Sequence, residues 1–356
     1  MLQLTGYPSQ PFFPNIRVLS LSQVPLVAAM ASAINFHTLR SLTLRKCLGW
    51  DHFLKGILER KGPINLKTLE IQYDDEGMGL EEYVIGSFLD AFEGLEELFV
   101  SMPGPHDSIR FWNHLAHHRE TLRKLADHQR TVNTDEDSPA FERDEDVPDL
   151  GIFGRQLRRI KKDPSQNPLA RLDLECLGLP CLPECLKPIL QPFAEKASLK
   201  LLHIRQSCSD LEHLLSWAQE GNPQDLIDIS DESEPESNSE GSGPASEAES
   251  DPSEPSVREG DTEQVGASVR LRKEFRQFIE WAFGPQGVSS LQIVAYGDFA
   301  YGGRDPYQNI VLCRSSDERM HYRILSPYEA MAVLEEHRAM LEALPMAPIL
   351  YGKWLN

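Results

Sequence analysis

Disulfide chemistry has little to work with in this chain. Six cysteines (Cys47, Cys176, Cys181, Cys185, Cys208 and Cys313) over 356 residues do not form a disulfide framework, and a reducing compartment is expected. Long apolar runs are also missing. The most apolar stretch, Val24 to Phe36, is too short to span a bilayer as a helix. No Lys or Arg precedes Arg17, so the basic leader of a secretory signal is lacking. A cytoplasmic and/or nuclear protein is expected, without a membrane partner.

Basic charge is scarce too. The net charge is −20, and the stretch from Glu220 to Glu263 supplies −14 of it, with 15 acidic residues against Arg258 alone. The remaining −6 is close to balance, which argues against nucleic-acid or anionic-membrane binding.

Catalytic and metal motifs are absent as well. No G-x-S-x-G elbow or dinucleotide fingerprint occurs. "GDFAYGGR" (Gly297–Arg304) lacks the G-K-[ST] ending of a phosphate loop. His114, His117 and His118 lack an H-E-x-x-H arrangement and read as solvated or helix-packing histidines. Cys176, Cys181 and Cys185 have no second ligand pair to complete a tetrahedral site, and read as buried thiols. The expectation is a non-enzymatic protein with no cofactor and no metal.

What the chain does contain is a repeat. L-x-x-L-x-L, with Ile or Val allowed for Leu, occurs eight times. The first five copies are Ile16–Leu19–Leu21, Leu39–Leu42–Leu44, Leu66–Leu69–Ile71, Leu95–Leu98–Val100 and the degenerate Leu122–Leu125, with Asp127 in third place. Leu169–Leu172–Leu174, Leu199–Leu202–Ile204 and Val288–Leu291–Ile293 follow. The first five starts lie 23, 27, 29 and 27 residues apart, within the leucine-rich-repeat period.

Between the copies lie helix-periodic segments, such as Phe53–Leu54–Ile57–Leu58 ending at Gly62, and Tyr83–Val84–Phe88–Leu89–Phe92. Alternating strand, turn and helix predicts an α/β fold: an irregular leucine-rich-repeat solenoid with a parallel concave sheet and outer helices. The expected organisation is a solenoid over 1–218 with an acidic insertion at 133–149. A disordered Ser/Glu/Pro-rich insertion at 219–266 follows, and then a C-terminal repeat and cap of the same solenoid over 267–356.

"LRSLTLRKC" fits the leucine-rich-repeat pattern, with Cys47 in its final Asn/Cys position. "FWNHLAHHRETLRKLADHQR" (Phe111–Arg130), "FERDEDVPDLG" (Phe141–Gly151) and "LQIVAYGDFAYGGRDPYQNIVLCR" (Leu291–Arg314) carry a more specific likeness. On these motifs the chain resembles the repeat region of fungal F-box/leucine-rich-repeat proteins. The resemblance implies a protein-binding solenoid. It also implies, as the alternative, a substrate receptor of an F-box-type ubiquitin ligase docking a Skp-type adaptor. The F-box itself is not evident, since Met1 leads almost at once into "PNIRVLSL".

Side chains alternate across a strand, so residues between the repeat leucines are expected on the concave surface. That strip comprises Arg45, Glu70, Gln72, Glu97, Phe99, Lys124, His128, Arg171, Asp173, Glu175, His203 and Arg205, with Ser41, Thr43, Thr68, Ser101 and Gln292 beside them. A mixed polar strip suits a protein partner, although a plain solvated sheet face has the same composition.

A second candidate is "DLIDISDESEPES". Leu226, Ile227 and Ile229, followed by Asp231 and Glu232, resemble a segment that binds a small ubiquitin-like modifier by strand addition. The competing reading is an apolar helix end. "RRIKK" (Arg158–Lys162) reads either as a targeting or phosphate-binding patch or as a partner for Asp144–Asp146.

Overall fold

The computed structural model describes residues 11–73, 81–103, 108–130, 154–180, 183–205, 218–220, 269–271, 273–297, 299–300, 309–316 and 320–345. The chain divides into two units, 1–216 with 273–356, and 217–272. The described part of the smaller unit is one antiparallel strand pair, β8 (Ala218–Glu220) with β9 (Val269–Leu271).

The larger unit is built on a ten-stranded, mostly parallel sheet. Its strands are β1 (Val18–Ser22), β2 (Ser41–Arg45), β3 (Thr68–Gln72), β4 (Glu97–Pro103), β5 (Lys124–Arg130), β6 (Cys176–Leu179), β7 (Leu201–Ile204), β10 (Ile293–Tyr296), β11 (Ile310–Arg314) and β12 (Tyr322–Ile324). They lie side by side in chain order. All pairings from β1 to β10 are parallel, and β10–β11 and β11–β12 are antiparallel.

One register runs through the parallel part. Leu19, Leu42, Leu69, Leu98, Leu125, Leu177, Leu202 and Val294 stand opposite one another in a single row. Two residues on, Leu21, Leu44, Ile71, Val100 and Asp127 form a second row, which Leu179, Ile204 and Tyr296 extend on the later strands. Period-two alternation puts both rows on one face, and from Leu42 onward they are fully or almost fully buried.

Helices cover this leucine face. They are α1 (Trp50–Glu59), α2 (Glu81–Leu89), α3 (Ser108–His114), α4 (Gly154–Lys162), α5 (Pro183–Ala194) and α6 (Lys273–Phe283). Their buried residues, among them Phe53, Ile57, Phe88, Trp112, Ile189, Phe193, Phe275 and Ile279, complete the core. α6 meets the sheet through Phe275 and Tyr296, ring centroids 5.2 Å apart. α3 meets it through the Trp112 indole, which donates to Asp127 Oδ2 at 2.9 Å.

That hydrogen bond explains the one degenerate repeat. Asp127 occupies a leucine position while 1 % exposed because it accepts from a tryptophan that is itself buried. Asp127→Leu matches the pattern yet strands the indole N–H, which costs about 1–3 kcal/mol. We expect urea denaturation to show a net loss, and Trp112→Phe in the same chain to recover part of it. A more stable Asp127→Leu chain would contradict this account.

Two repeats sit in a different frame from the one expected. Leu177 pairs with Leu202, so the working motif is Leu174–Leu177–Leu179. Leu169 instead lies in a helical turn, Pro168–Arg171, opened by Asn167, whose side chain accepts from the Leu169 amide. Likewise Val294 pairs with Leu202, which makes the motif Leu291–Val294–Tyr296 and moves Ile293 to the opposite face. The stop of α1 is also displaced. The left-handed residue there is Lys61, at φ 49°, rather than Gly62.

After β12 the chain forms α7 (Pro327–Glu336) and the short α8 (Arg338–Leu341). Ser326 and Glu329 make a capping box, each side chain bonding the other's main chain. Glu329 also pairs with Arg323 of β12 at 2.7 Å. The Ser326 amide, with Arg323, holds the Glu329 carboxyl down to about 2. Among the described residues no helix is long and apolar enough to cross a membrane.

Candidate protein-binding face

The sheet face opposite the leucine rows carries the residues expected to bind a partner, and it has two halves. Cys176, Leu201, Ile293, Ala295 and Val311 make the later strands apolar here, where Met340, Leu341 and the partly buried Val333 and Leu334 pack against them. The earlier strands are polar. Ser20 and Ser22 are exposed, while Ser41, Thr43, Arg45, Thr68, Glu97 and Lys124 are half-buried.

Side chains on the polar half are tied across strands. Arg45 grips both oxygens of Glu70, with Nε to Oε1 at 2.7 Å and Nη2 to Oε2 at 2.9 Å. Thr68 donates to Glu97 at 3.3 Å, and Glu97 pairs with Lys124 at 2.7 Å. Burial works against the Lys124 ammonium, but the Glu97 hydrogen bond and charge leave its pKa raised.

Between the halves the face is closed by the chain itself. Gln72 Nε2 donates to the Pro345 carbonyl at 2.7 Å. The Leu344 amide donates to Glu70 Oε1 at 3.1 Å, and Arg205 Nη2 donates to the Ala343 carbonyl at 2.7 Å. Glu70, Gln72 and Arg205 are buried beneath it, and Phe99, Ser101, His128 and His203 on the same face are buried too, His203 against Gly297 and Phe299. Of the expected strip, Arg45, Glu97 and Lys124 keep solvent access, and the other members on β3, β4, β5 and β7 are covered. Periodicity told which way these residues point; it carried no information on what lies over them.

Three members of the strip are corrected outright. Arg171 and Asp173 are exposed in the connection before β6, outside the sheet. Glu175 precedes β6 and bonds Lys200 at 3.0 Å. The cause is the five-residue frame shift, which gives the face Cys176 and Gly178 instead. Gln292 precedes β10 for the same kind of reason. Sequence reasoning also missed Ala343, Leu344 and Pro345. The Ser326-x-x-Glu329 box was the available sign of a helix leading to them.

Burial governs the titratable groups on and near the face. His203, fully buried and beside Arg205, has its pKa lowered well below the usual imidazole value; the hydrogen bond from Nε2 to the Gly297 carbonyl, 3.0 Å, opposes the shift. Burial pushes the Cys176 thiol up to about 11, which keeps it protonated and unreactive. Among the described cysteines, Cys47 and Cys185 are buried thiols too.

The histidine cluster does structural work. His118 is buried, accepts from the Leu95 amide at 3.4 Å and packs on Phe92. Desolvation lowers its pKa to about 4. His114 and His117 both reach Asp90, at 2.8 and 3.5 Å. Among the described residues no group of three or more His, Cys, Asp or Glu could hold a metal ion. In "RRIKK", Ile160 is buried while Arg158, Arg159, Lys161 and Lys162 lie exposed on α4. The candidate modifier-binding segment, Leu226, Ile227, Ile229, Asp231 and Glu232, lies outside the described residues.

No family model matches the chain, no curated protein matches it, and no solved structure matches it.

Proposed function

We propose that the chain is an irregular leucine-rich-repeat solenoid that binds a protein partner, without catalysis, on the face opposite its leucine rows. The observation that carries this reading is the division of labour between faces. One face of β1–β5 spends its leucines on the core, and the other presents Ser20, Ser22, Ser41, Thr43, Glu97 and Lys124 to solvent. The parallel strands repeat every 23–29 residues over β1–β5, the spacing of leucine-rich repeats. Hydroxyls beside an acid–base pair offer donors, acceptors and both charges, which suits a mixed protein surface better than a uniform polyanion.

The test is quantitative affinity capture with the full chain. Ser20→Arg with Thr43→Arg places two bulky cations on the open face without touching the core. Partners recovered with the parent chain are expected to fall at least tenfold. An Arg276→Glu control on the exposed side of α6 should retain them. Unchanged recovery with the double variant, or loss only with the control, would sink the proposal.

A further inference from the structure

We infer that the centre of this face is a peptide-binding site that reads main-chain groups, and that residues 343–345 are its resident ligand in cis. The inference rests on the protein-binding reading and specifies the partner: a short apolar peptide presenting a leucine between two accessible carbonyls.

Three side chains, Glu70 and Gln72 of β3 and Arg205 just past β7, converge on three consecutive residues, and each bonds a main-chain atom. Arg205 takes the Ala343 carbonyl, Glu70 the Leu344 amide and Gln72 the Pro345 carbonyl. Hydrogen bonds to the main chain tolerate other sequences, as peptide-recognition sites require. Leu344, fully buried, supplies the apolar anchor.

The composition of the face sets residues 343–345 apart from those before them. Under Met340 and Leu341 the sheet is apolar, and the side chains of Ala343 and Leu344 join the same buried cluster. Against the main chain of 343–345 the sheet also carries a carboxylate, a carboxamide and a guanidinium, all at most 6 % exposed. Groups of that kind are costly to bury and are well served by water when uncovered. Leu344 is also held at φ 59°, a left-handed conformation that its Cβ disfavours. Release of 343–345 alone relieves that strain and hydrates the polar groups, while α7 and α8 stay in place. A peptide of the same chemistry then takes the vacated bonds.

The experiment uses the full chain and a fluorescent peptide of sequence Arg-Ala-Met-Leu-Glu-Ala-Leu-Pro, copied from 338–345. Leu344→Asp removes the anchor in cis. Fluorescence anisotropy is expected to show saturable binding to this variant at least tenfold tighter than to the parent chain. Adding Gln72→Leu should weaken it at least tenfold. A folded Leu344→Asp chain that does not bind the peptide overturns the inference, as does equal binding by variant and parent.

Hydrogen exchange on the parent chain decides the matter if the variant does not fold. Amides of 342–344 are expected to exchange at least 100-fold faster than those of β4; equal protection overturns the inference. Failure here with partner loss in the Ser20/Thr43 variant removes only the peptide site. Peptide binding together with undiminished capture removes the open-face reading instead.

Discussion

Acidifying the protein from pH 6.5 to pH 4.5 is expected to lower its stability steeply, with the loss already under way at pH 5.5, where ordinary carboxylates are still ionised. His118 is buried and its pKa is lowered to about 4, while an unfolded chain carries an ordinary imidazole near 6.5. Across that interval the unfolded state takes up a proton that the folded state refuses, so stability falls as pH drops. Above the unfolded value neither state is charged and the effect vanishes. The gap corresponds to about 3 kcal/mol, fully developed near pH 4.

His203 acts in the same direction, since burial and the neighbouring Arg205 lower its pKa well below the usual imidazole value. The perturbed carboxylates Glu329, Asp51 and Asp163 are lowered, so their contributions are lost only as pH falls below the ordinary carboxylate range. Urea midpoints at pH 7, 5.5 and 4.5 measure the slope. His118→Gln, which can still accept from the Leu95 amide, should flatten it. A midpoint constant over this range would refute the assignment.

The second large effect concerns one glycine. Gly56 lies in α1 where that helix crosses residues 28–33, and a Cβ built on it falls 2.5 Å from the Ala28 carbonyl oxygen and 2.9 Å from the Ala28 Cα. Alanine elsewhere in a helix gains about 1 kcal/mol over glycine. Here the obstacle is main chain, which cannot rotate aside, and overpacking of this kind costs about 1–3 kcal/mol or more. Gly56→Ala should therefore lose about 2 kcal/mol net. Gly62 has nothing within 4 Å of its would-be Cβ; Gly62→Ala should gain about 0.4–1 kcal/mol through the unfolded chain. Opposite signs in thermal denaturation are the expected result, and equal signs would show that the α1 contact yields.

The early strands were readable because pattern and spacing agree there. From Ile16 to Leu125 each motif is isolated, so one frame fits. Around Leu169–Leu179 two overlapping motifs share Leu174, and Leu169, Leu172, Leu174, Leu177 and Leu179 are all buried. Hydrophobicity could not choose between the frames. Asn167–Pro168 could have, because Asn before Pro is an N-cap followed by the residue best suited to a first helical position. The Leu291 repeat failed in the same way, with Leu291 common to both frames.

The candidate site was legible only in orientation. Alternation correctly set Glu70, Gln72, His203 and Arg205 on the face opposite the leucines. The burial of Glu70, Gln72 and Arg205 involves Ala343, Leu344 and Pro345, and that of His203 involves Gly297 and Phe299, contacts that no local periodicity encodes. Sequence patterns describe which way a side chain points, whereas exposure is decided by whichever distant segment arrives there.

The hydrogen bond from Gln72 to Pro345 spans 273 residues of chain. A ribosome adds about 5–20 residues per second, so about 14–55 s separate the synthesis of the two partners. During that time β3 and its neighbours can pair and bury their leucines, since β3 pairs only with β2 and β4, its neighbours in the chain. Glu70 and Gln72 meanwhile stand uncovered in every nascent copy. Each newborn molecule thus passes through a period in which the polar centre of this face is open to water, before residues 343–345 are made and can cover it.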